Sequence, residues 1–542
     1  MHAGLAGRLL ISMGVLALAG FPGGATYKVY AQQAAPVVGK SLRYCNPLPL
    51  VASSQDGSAT GVNLGDVTVV HEGDSYYLFG TGGGAWVSRD LVHWEYKPVE
   101  VRGARFFPVA PHVFKYNGAF YLTGNSSPLY KSASILGPYE LLGPWKNEKG
   151  EPWTVTFNGR TDDGAFDPDI FIDDDNKAYL YFPGRSTAGI YVVPLDPNDL
   201  TRFTAAPKHL FGFDPAHVWE RWGEKNEYTG IAWIEGPWMF KRNGTYYIEY
   251  SASGTQWLTY ASGIYAAKSP MGPFTYSPRN PFLRKTSGVV TGPGHGSVVQ
   301  GPDGNWWVLY TIVQPNPPGG RRIGMDPVGF DADGNPYVRE VSETPQWAPG
   351  VVADPVKDGD SGSIAVSINK QRAMHTKSSF TSERPGFEAA YATDNSDGTI
   401  WEPAETDMEP SLTLDLVAPT EFETNQWFEI DSSRIEFATG NPWASFMRKP
   451  GVGAAGTKLD PQALGNVAFR YKIETSMDGK QYTTVLDKTR NAETRYTEFD
   501  EIPPTRCRFV RLTITDWPRH TGVPLGVMEF TVFGKAVATP MR

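Results

Sequence analysis

The feature that most constrains this chain is a tight turn followed at once by an aromatic-rich strand, written five times. The copies are "GDSYYLF" at 73–79, "NGAFYLT" at 117–123, "DDNKAYLYF" at 174–182, "NGTYYIEY" at 243–250 and "DGNWWVLY" at 303–310. Gly, Asn and Asp supply the positive φ angles of a short hairpin, and β-branched and aromatic residues suit the strand that follows. Each copy is therefore expected as the middle of a small antiparallel sheet. Equivalent positions Tyr77, Tyr121, Leu180, Tyr247 and Trp307 lie 44, 59, 67 and 60 residues apart, the spacing of propeller blades with loop insertions. Helical periodicity is nearly absent, and 58 glycines and 44 prolines punctuate the 542 residues, as an all-β fold requires. The expected fold class is all-β: a five-bladed β-propeller over residues 38–345, then a β-sandwich jelly roll.

The aromatic rhythm stops after "RRIGMDPVGFDADGNP". The Gly-, Asp- and Ser-rich stretch within 346–369 reads as a linker, and short alternating strands such as "SLTLDL" and "VAFRYKIETS" place the sandwich at 370–537. At the other end, residues 1–31 carry Arg8, the apolar run "LLISMGVLALAGF" and the small-residue close "VYA". They read as a signal peptide, which predicts a secreted or periplasmic protein. The apolar run is shorter than the roughly 20 residues that cross a bilayer, so no membrane span is expected. A net charge of −9 without any Lys/Arg-rich block removes the attraction on which non-specific nucleic-acid binding depends. Cys45 and Cys507 are the only cysteines, and two arrangements stand open: one bridge between the chain's beginning and end, or two unpaired buried thiols.

The innermost strand of a blade faces the central axis, so residues at one height on successive inner strands converge there. Counting back from each hairpin, Asp66 lies 10 residues before Tyr76, Asp167 12 before Tyr179, Glu235 11 before Tyr246 and His295 11 before Trp306. The second unit has His112, in "VAPHVF", at the matching place. One titratable residue at such a position is ordinarily a solvated or turn residue; four at one register point to a site. Glycoside hydrolysis needs a carboxylic acid to protonate the leaving oxygen and a carboxylate on the opposite face. A third carboxylate beside the acid raises its pKa and keeps it protonated near neutrality.

"GDVTVVHEGDSYYLFGT", "AFDPDIFIDDDNKAYLYF", "IEGPWMFKRNGTYYIEYSASG" and "GPGHGSVVQGPDGNWWVLY" closely resemble the blade motifs of glycoside hydrolase family 43, over roughly residues 45–345. The resemblance implies five-bladed arabinofuranosidases, xylosidases or arabinanases that invert anomeric configuration, acting on a polysaccharide or oligosaccharide. It implies Asp66 as general base, Asp167 as the carboxylate that tunes the acid, and Glu235 as general acid, with base and acid about 6.5–9.5 Å apart. The first motif carries Asp66-Val67 where the family usually has Asp-Pro. His295 matches a histidine that in several relatives approaches a calcium ion, so the resemblance leaves two roles for it: metal site at the propeller axis, or a neutral ring that hydrogen-bonds across it. Arg321 lies where relatives reach the sugar with an arginine, and a one-residue slip in alternation would exchange it with Arg322. Trp86, Trp219, Trp222 and Trp257 are candidate stacking platforms, with the insertion "HVWERWGEKNEYTGIAW" expected at the rim.

"SDGTIWEP", "SLTLDL" and "FVRLTI", closing on "MEFTVFG", resemble a discoidin (factor 5/8 type C) domain, which implies either glycan binding or a structural flank. Two rivals stand beside the hydrolase reading. "SRDLVHWEY" resembles a sialidase Asp-box, but Val92 stands where that box has glycine. A non-catalytic glycan-binding protein would have no need of a matched acid and base.

Overall fold

The computed structural model describes residues 42–51, 64–104, 107–157, 160–184, 186–313, 321–370, 379–417, 426–438, 468–517 and 525–538; the expected signal peptide lies outside them. The protein is all-β. Five antiparallel sheets follow one another along the chain, each begun by two long strands: Gly65–Glu72 with Ser75–Thr81, His112–Tyr116 with Ala119–Thr123, Asp169–Ile172 with Ala178–Pro183, Glu235–Arg242 with Thr245–Ala252, and Pro293–Gln300 with Trp306–Val313. Two further strands complete each meander, and an extra one pairs with the third strand of sheets three and four. All five turn motifs form the hairpin between first and second strands. At Asn117-Gly118 and Asn243-Gly244 both residues have positive φ, 47° and 80°, then 50° and 72°, which is why Asn-Gly recurs there.

Strand alternation sends successive side chains to opposite faces, and both faces of each sheet are buried. In sheet four, Met239, Tyr246 and Ile248 pack toward sheet three, whereas Phe240, Tyr247 and Ile264 pack toward sheet five. Similar apolar layers join sheets one to two, two to three, and five back to one. The first strands accordingly neighbour one another in the same cyclic order. Ile248 is fully buried in one such layer. Ile248→Ala is therefore expected to cost about 2–5 kcal/mol in urea unfolding, and a change below about 1 kcal/mol would show that the layer collapses around the gap.

The stretch read as a linker is ordered. Gln346–Trp347 pairs with Arg43–Tyr44, Pro355–Asp358 forms a helical turn capped by Asp354, and Ile364–Ala365 joins a C-terminal sheet. Its Gly, Asp and Ser residues serve turns and a cap and do not make a tether. The C-terminal strands form two four-stranded sheets, ordered Ile364–Ala365, Val527–Val537, Trp427–Phe437, Thr497–Cys507 and Ser411–Asp415, Phe509–Asp516, Arg470–Ser476, Thr483–Asp487. They enclose one core built on Trp401, Phe437, Tyr471 and Phe530.

This unit is bolted to the preceding sheets by polar contacts. Buried Arg434 donates to the carbonyls of Asn46 (2.5 Å) and Glu343 (2.9 Å), and Arg43 pairs with Asp431 (3.0 Å) and Glu501 (2.8 Å). Cys45 and Cys507 are both buried and free. Burial pushes each thiol up to about 12, so both are inert at neutral pH.

Candidate active site

Four of the register residues meet where the first strands begin. The backbone there is unusual in a repeated way: Asp66, Asp167, Gly236 and His295 have φ of 53°, 38°, 55° and 46°, and the strand register slips at Gly65/Thr68, Glu235/Trp238 and Gly294/Ser297. A bulge of this kind re-aims a side chain out of the pleat, and left-handed non-glycine residues concentrate at functional sites. Gly236 can be nothing larger, because a Cβ there would sit 2.8 Å from Cγ of His295.

Asp66 is the most heavily partnered. Its Oδ1 accepts from Arg321 Nη1 (2.6 Å) and lies 3.2 Å from His295 Nδ1, while Oδ2 accepts from Thr81 Oγ1 (2.7 Å). Its own N–H donates to Thr311 Oγ1 (2.8 Å). Burial alone would raise the carboxyl, but the charges of Arg321 and His295 outweigh it and hold Asp66 well below the usual carboxylate range. Glu235 goes the other way. Buried, with Asp167 nearby, it is pushed up to about 8, against the His295 charge and a hydrogen bond from Tyr260 Oη to Oε1 (3.0 Å). Asp167 is also raised, first by burial, with Asp66 adding to it and His295 opposing; its Oδ2 accepts the Gly236 N–H (3.3 Å) and its own N–H donates to Asn125 Oδ1. The result is one carboxylate held ionised and one acid held protonated at neutral pH.

His295 carries the charge that balances this cluster. Burial would lower its pKa, but Asp167, Asp66 and Glu235 raise it to about 9. The donor set does not fit calcium ligated by side chains: the ring is engaged with Asp66, and among the described residues no group of three or more His, Cys, Asp or Glu is gathered to hold a metal. Calcium also prefers oxygen ligands. Alternation separates the two arginines, Arg321 reaching Asp66 and Arg322 lying buried on the opposite side.

Two expected substrate contacts are corrected. His112 accepts the Ile170 N–H at Nε2 (3.0 Å), and its Nδ1 lies 3.5 Å from Asp169 Oδ1. Both nitrogens are used, and burial lowers its pKa to about 4, so it is a neutral strut between sheets two and three. Trp86 is fully buried, donates to the Val51 carbonyl (2.8 Å) and packs edge-on against Tyr96; it is core. Trp219 is likewise buried, donating to Tyr276 Oη.

The insertion ahead of Glu235, expected at the rim, brings tryptophans together. Trp222 stacks on Trp233 (6.0 Å between centroids) and meets Trp257 edge-on (5.9 Å), all three half-buried. The segment is braced from inside by buried Glu220, which accepts from Tyr250 Oη (2.6 Å) and contacts His217 Nδ1 (2.8 Å). Sequence reading missed Trp233, Tyr260, Thr81 and Asn125. Only Trp233, two residues before Glu235, had a signal in its position.

The aspartate-rich stretch 167–175 divides. Asp169 braces sheet three to sheet four by accepting the Met239 N–H (2.8 Å), and burial pushes it up to about 8. Asp173 and Asp174 pair with Lys241 (2.6 and 2.9 Å) at a hairpin tip. The Asp-box-like segment is a turn in which Asp90 accepts the N–H groups of Val92 and His93.

Comparison with known proteins adds the family. A β-D-galactofuranosidase of Aspergillus niger is 32% identical over 193 residues, 35% of this chain and 48% of its own length. A non-reducing-end α-L-arabinofuranosidase of Bacteroides ovatus is 28% identical over 304 residues, 52% of each chain. The chain thus spans about half the length of the curated relatives it matches. A crystal structure of a thermostable family-43 glycoside hydrolase is similar at 27% identity, over 57% of this chain and 100% of the other, with a TM-score of 0.45. The F5/8 type C domain model matches residues 454–529. The model of glycosyl hydrolases family 43 matches residues 61–336, half of the chain and every strand that carries the carboxyl cluster, and the chain belongs to that family.

Proposed function

We propose that this protein is an exo-acting, inverting glycoside hydrolase that removes α-L-arabinofuranosyl, or secondarily β-D-xylosyl, groups from plant polysaccharides or oligosaccharides. The observation that carries this reading is the opposed protonation of two carboxyls at one ring of strands: Asp66 held ionised by Arg321 and His295, and Glu235 held protonated by burial and Asp167. Glu235 protonates the glycosidic oxygen as the bond to the anomeric carbon breaks. Asp66 takes a proton from the water that attacks the opposite face, and Arg321 fixes Asp66 and the sugar. Asp167 keeps the acid protonated until it acts. This reading takes the insertion carrying Trp222 and Trp233 as one wall of the site, which confines it to terminal residues.

The same reading takes the five sheets as blades of a propeller over 38–345, the C-terminal sheets as a discoidin-like jelly roll over 370–537, and residues 1–31 as the leader that exports the protein. It has hydrolysis proceed without a resident calcium ion at His295. The similarity to a β-D-galactofuranosidase favours a second reading, a galactofuranosyl substrate.

Aryl glycosides of α-L-arabinofuranose, β-D-xylose and β-D-galactofuranose separate the three, with the arabinofuranoside expected fastest. Proton NMR of the first-formed sugar should show inverted configuration; retention would overturn the assignment of Asp66 as a base. Dialysis against EDTA should leave kcat/KM unchanged, whereas a loss restored by calcium would return the metal to His295.

A further inference from the structure

A groove of about 1040 Å³ opens between sheets four and five, at the opposite ends of the strands from Glu235 and His295. Strand Glu235–Arg242 begins in the carboxyl cluster and ends in this groove, a rise of about 23 Å at ~3.3 Å per residue, so whatever binds here takes no part in the chemistry. One wall is aromatic: Trp306, Phe330 and Tyr337, all half-exposed. Arg242 lies over the Phe330 ring, 4.0 Å from its centroid. Arg339 and Lys357 also line the groove, held together by a hydrogen bond from Arg339 Nη1 to the Lys357 carbonyl (3.0 Å). The fourth cation, Lys241, is satisfied by Asp173 and Asp174. Asp354, the one carboxylate of the lining, is turned to the Lys357 N–H as a helix cap.

Arg242, Arg339 and Lys357 thus make no ion pair among the described residues, in a chain whose net charge is −9. Three uncompensated cations beside an aromatic wall match a ligand that offers both a flat apolar face and a carboxylate. Guanidinium forks bind carboxylates in a bidentate manner, and aromatic rings stack on the apolar face of a sugar. A neutral glycan would leave the cations unused. We propose that this groove is a second carbohydrate site, which anchors the enzyme on uronic-acid-bearing polysaccharide through Arg242, Arg339 and Lys357 while the carboxyl cluster trims side groups elsewhere. The proposal needs only that the chain works on carbohydrate, and it is read out by binding, so its failure is distinct from failure of the catalytic assignment.

The test is calorimetric titration of the full chain with oligogalacturonides, against the same oligosaccharides after reduction of their carboxyl groups. The acidic form should bind at least about tenfold more tightly, the value of one charge-assisted hydrogen bond, and the difference should shrink in 0.5 M salt, added to probe ionic screening at about that strength. Arg242→Gln with Arg339→Gln should abolish the preference while turnover of a small aryl glycoside stays unchanged. Because Arg242 also packs on Phe330, Arg339→Gln alone, at an exposed position, is the folding-safe variant and should weaken binding severalfold. Equal binding of acidic and reduced oligosaccharides, or equal binding by wild type and both variants, would overturn the proposal. Equally tight binding of polyglutamate would also overturn it, by showing a surface that reads charge alone.

Discussion

Glu235→Gln should lower kcat on unactivated arabinofuranosides by about 10²–10⁴-fold, the usual contribution of a positioned general acid, with binding of the sugar retained. The loss should be much smaller for a dinitrophenyl glycoside, whose leaving group departs without a proton. Equal turnover by the variant on both substrates would remove Glu235 from the mechanism. The pH profile offers a second reading of the same group. Glu235 works as the protonated acid and is pushed up to about 8, so kcat/KM should fall about tenfold per pH unit above that value. Burial is the larger cause and the Asp167 charge the next. Asp167→Asn removes the second, Glu235 then loses its proton at lower pH, and the alkaline limb moves down. A variant that loses activity with the limb unmoved would give Asp167 a structural role only.

Asp66→Asn should cost a comparable 10²–10⁴-fold, but with no relief from a better leaving group, because the missing step is activation of water. Added azide should restore turnover and yield the glycosyl azide of inverted configuration, since a small anion needs no base; rescue with retained configuration would contradict inversion. The substitution also leaves Arg321 and His295 facing a neutral amide in a buried site. Breaking a buried pair of this kind costs about 3–5 kcal/mol, so thermal unfolding of the variant belongs beside its kinetics. The sign with pH is fixed by the depressed carboxyl. In the wild type the stability from Asp66 is present above the ordinary Asp range and is lost as pH falls through the lower folded value. Below that range the unfolding curves of wild type and Asp66→Asn should converge.

The five hairpins were legible because a turn is a local event. Asn117-Gly118 and Asn243-Gly244 need only their own backbone preferences, and the aromatic alternation after them needs only a period of two. From those hairpins a count of 10 to 12 residues reached Asp66, Asp167, Glu235 and His295, because repeated sheets repeat their register. His112 lies only 8 residues before Phe120, short of that count, and is a strut; the residue 10 before Phe120 is Ala110, whose φ of 44° matches the positive values at Asp66, Asp167 and His295 but whose side chain carries no chemistry. Trp86 failed differently: an indole reads the same in sequence whether it faces sugar or, as here, Tyr96 and the Val51 carbonyl.

The sequence by itself determined that the chain would build five turn-linked sheets, which residue types would stand at their starts, and which family's motifs they carry. Tertiary structure alone decided which of those residues face one another and in what protonation state. Arg321 lies 255 residues from Asp66, and Tyr260 lies 25 from Glu235; no local pattern encodes either pairing. The split between an ionised Asp66 and a protonated Glu235 arises from burial and from charges that neighbouring sheets bring to the same ring, quantities that exist only once the chain has closed around them.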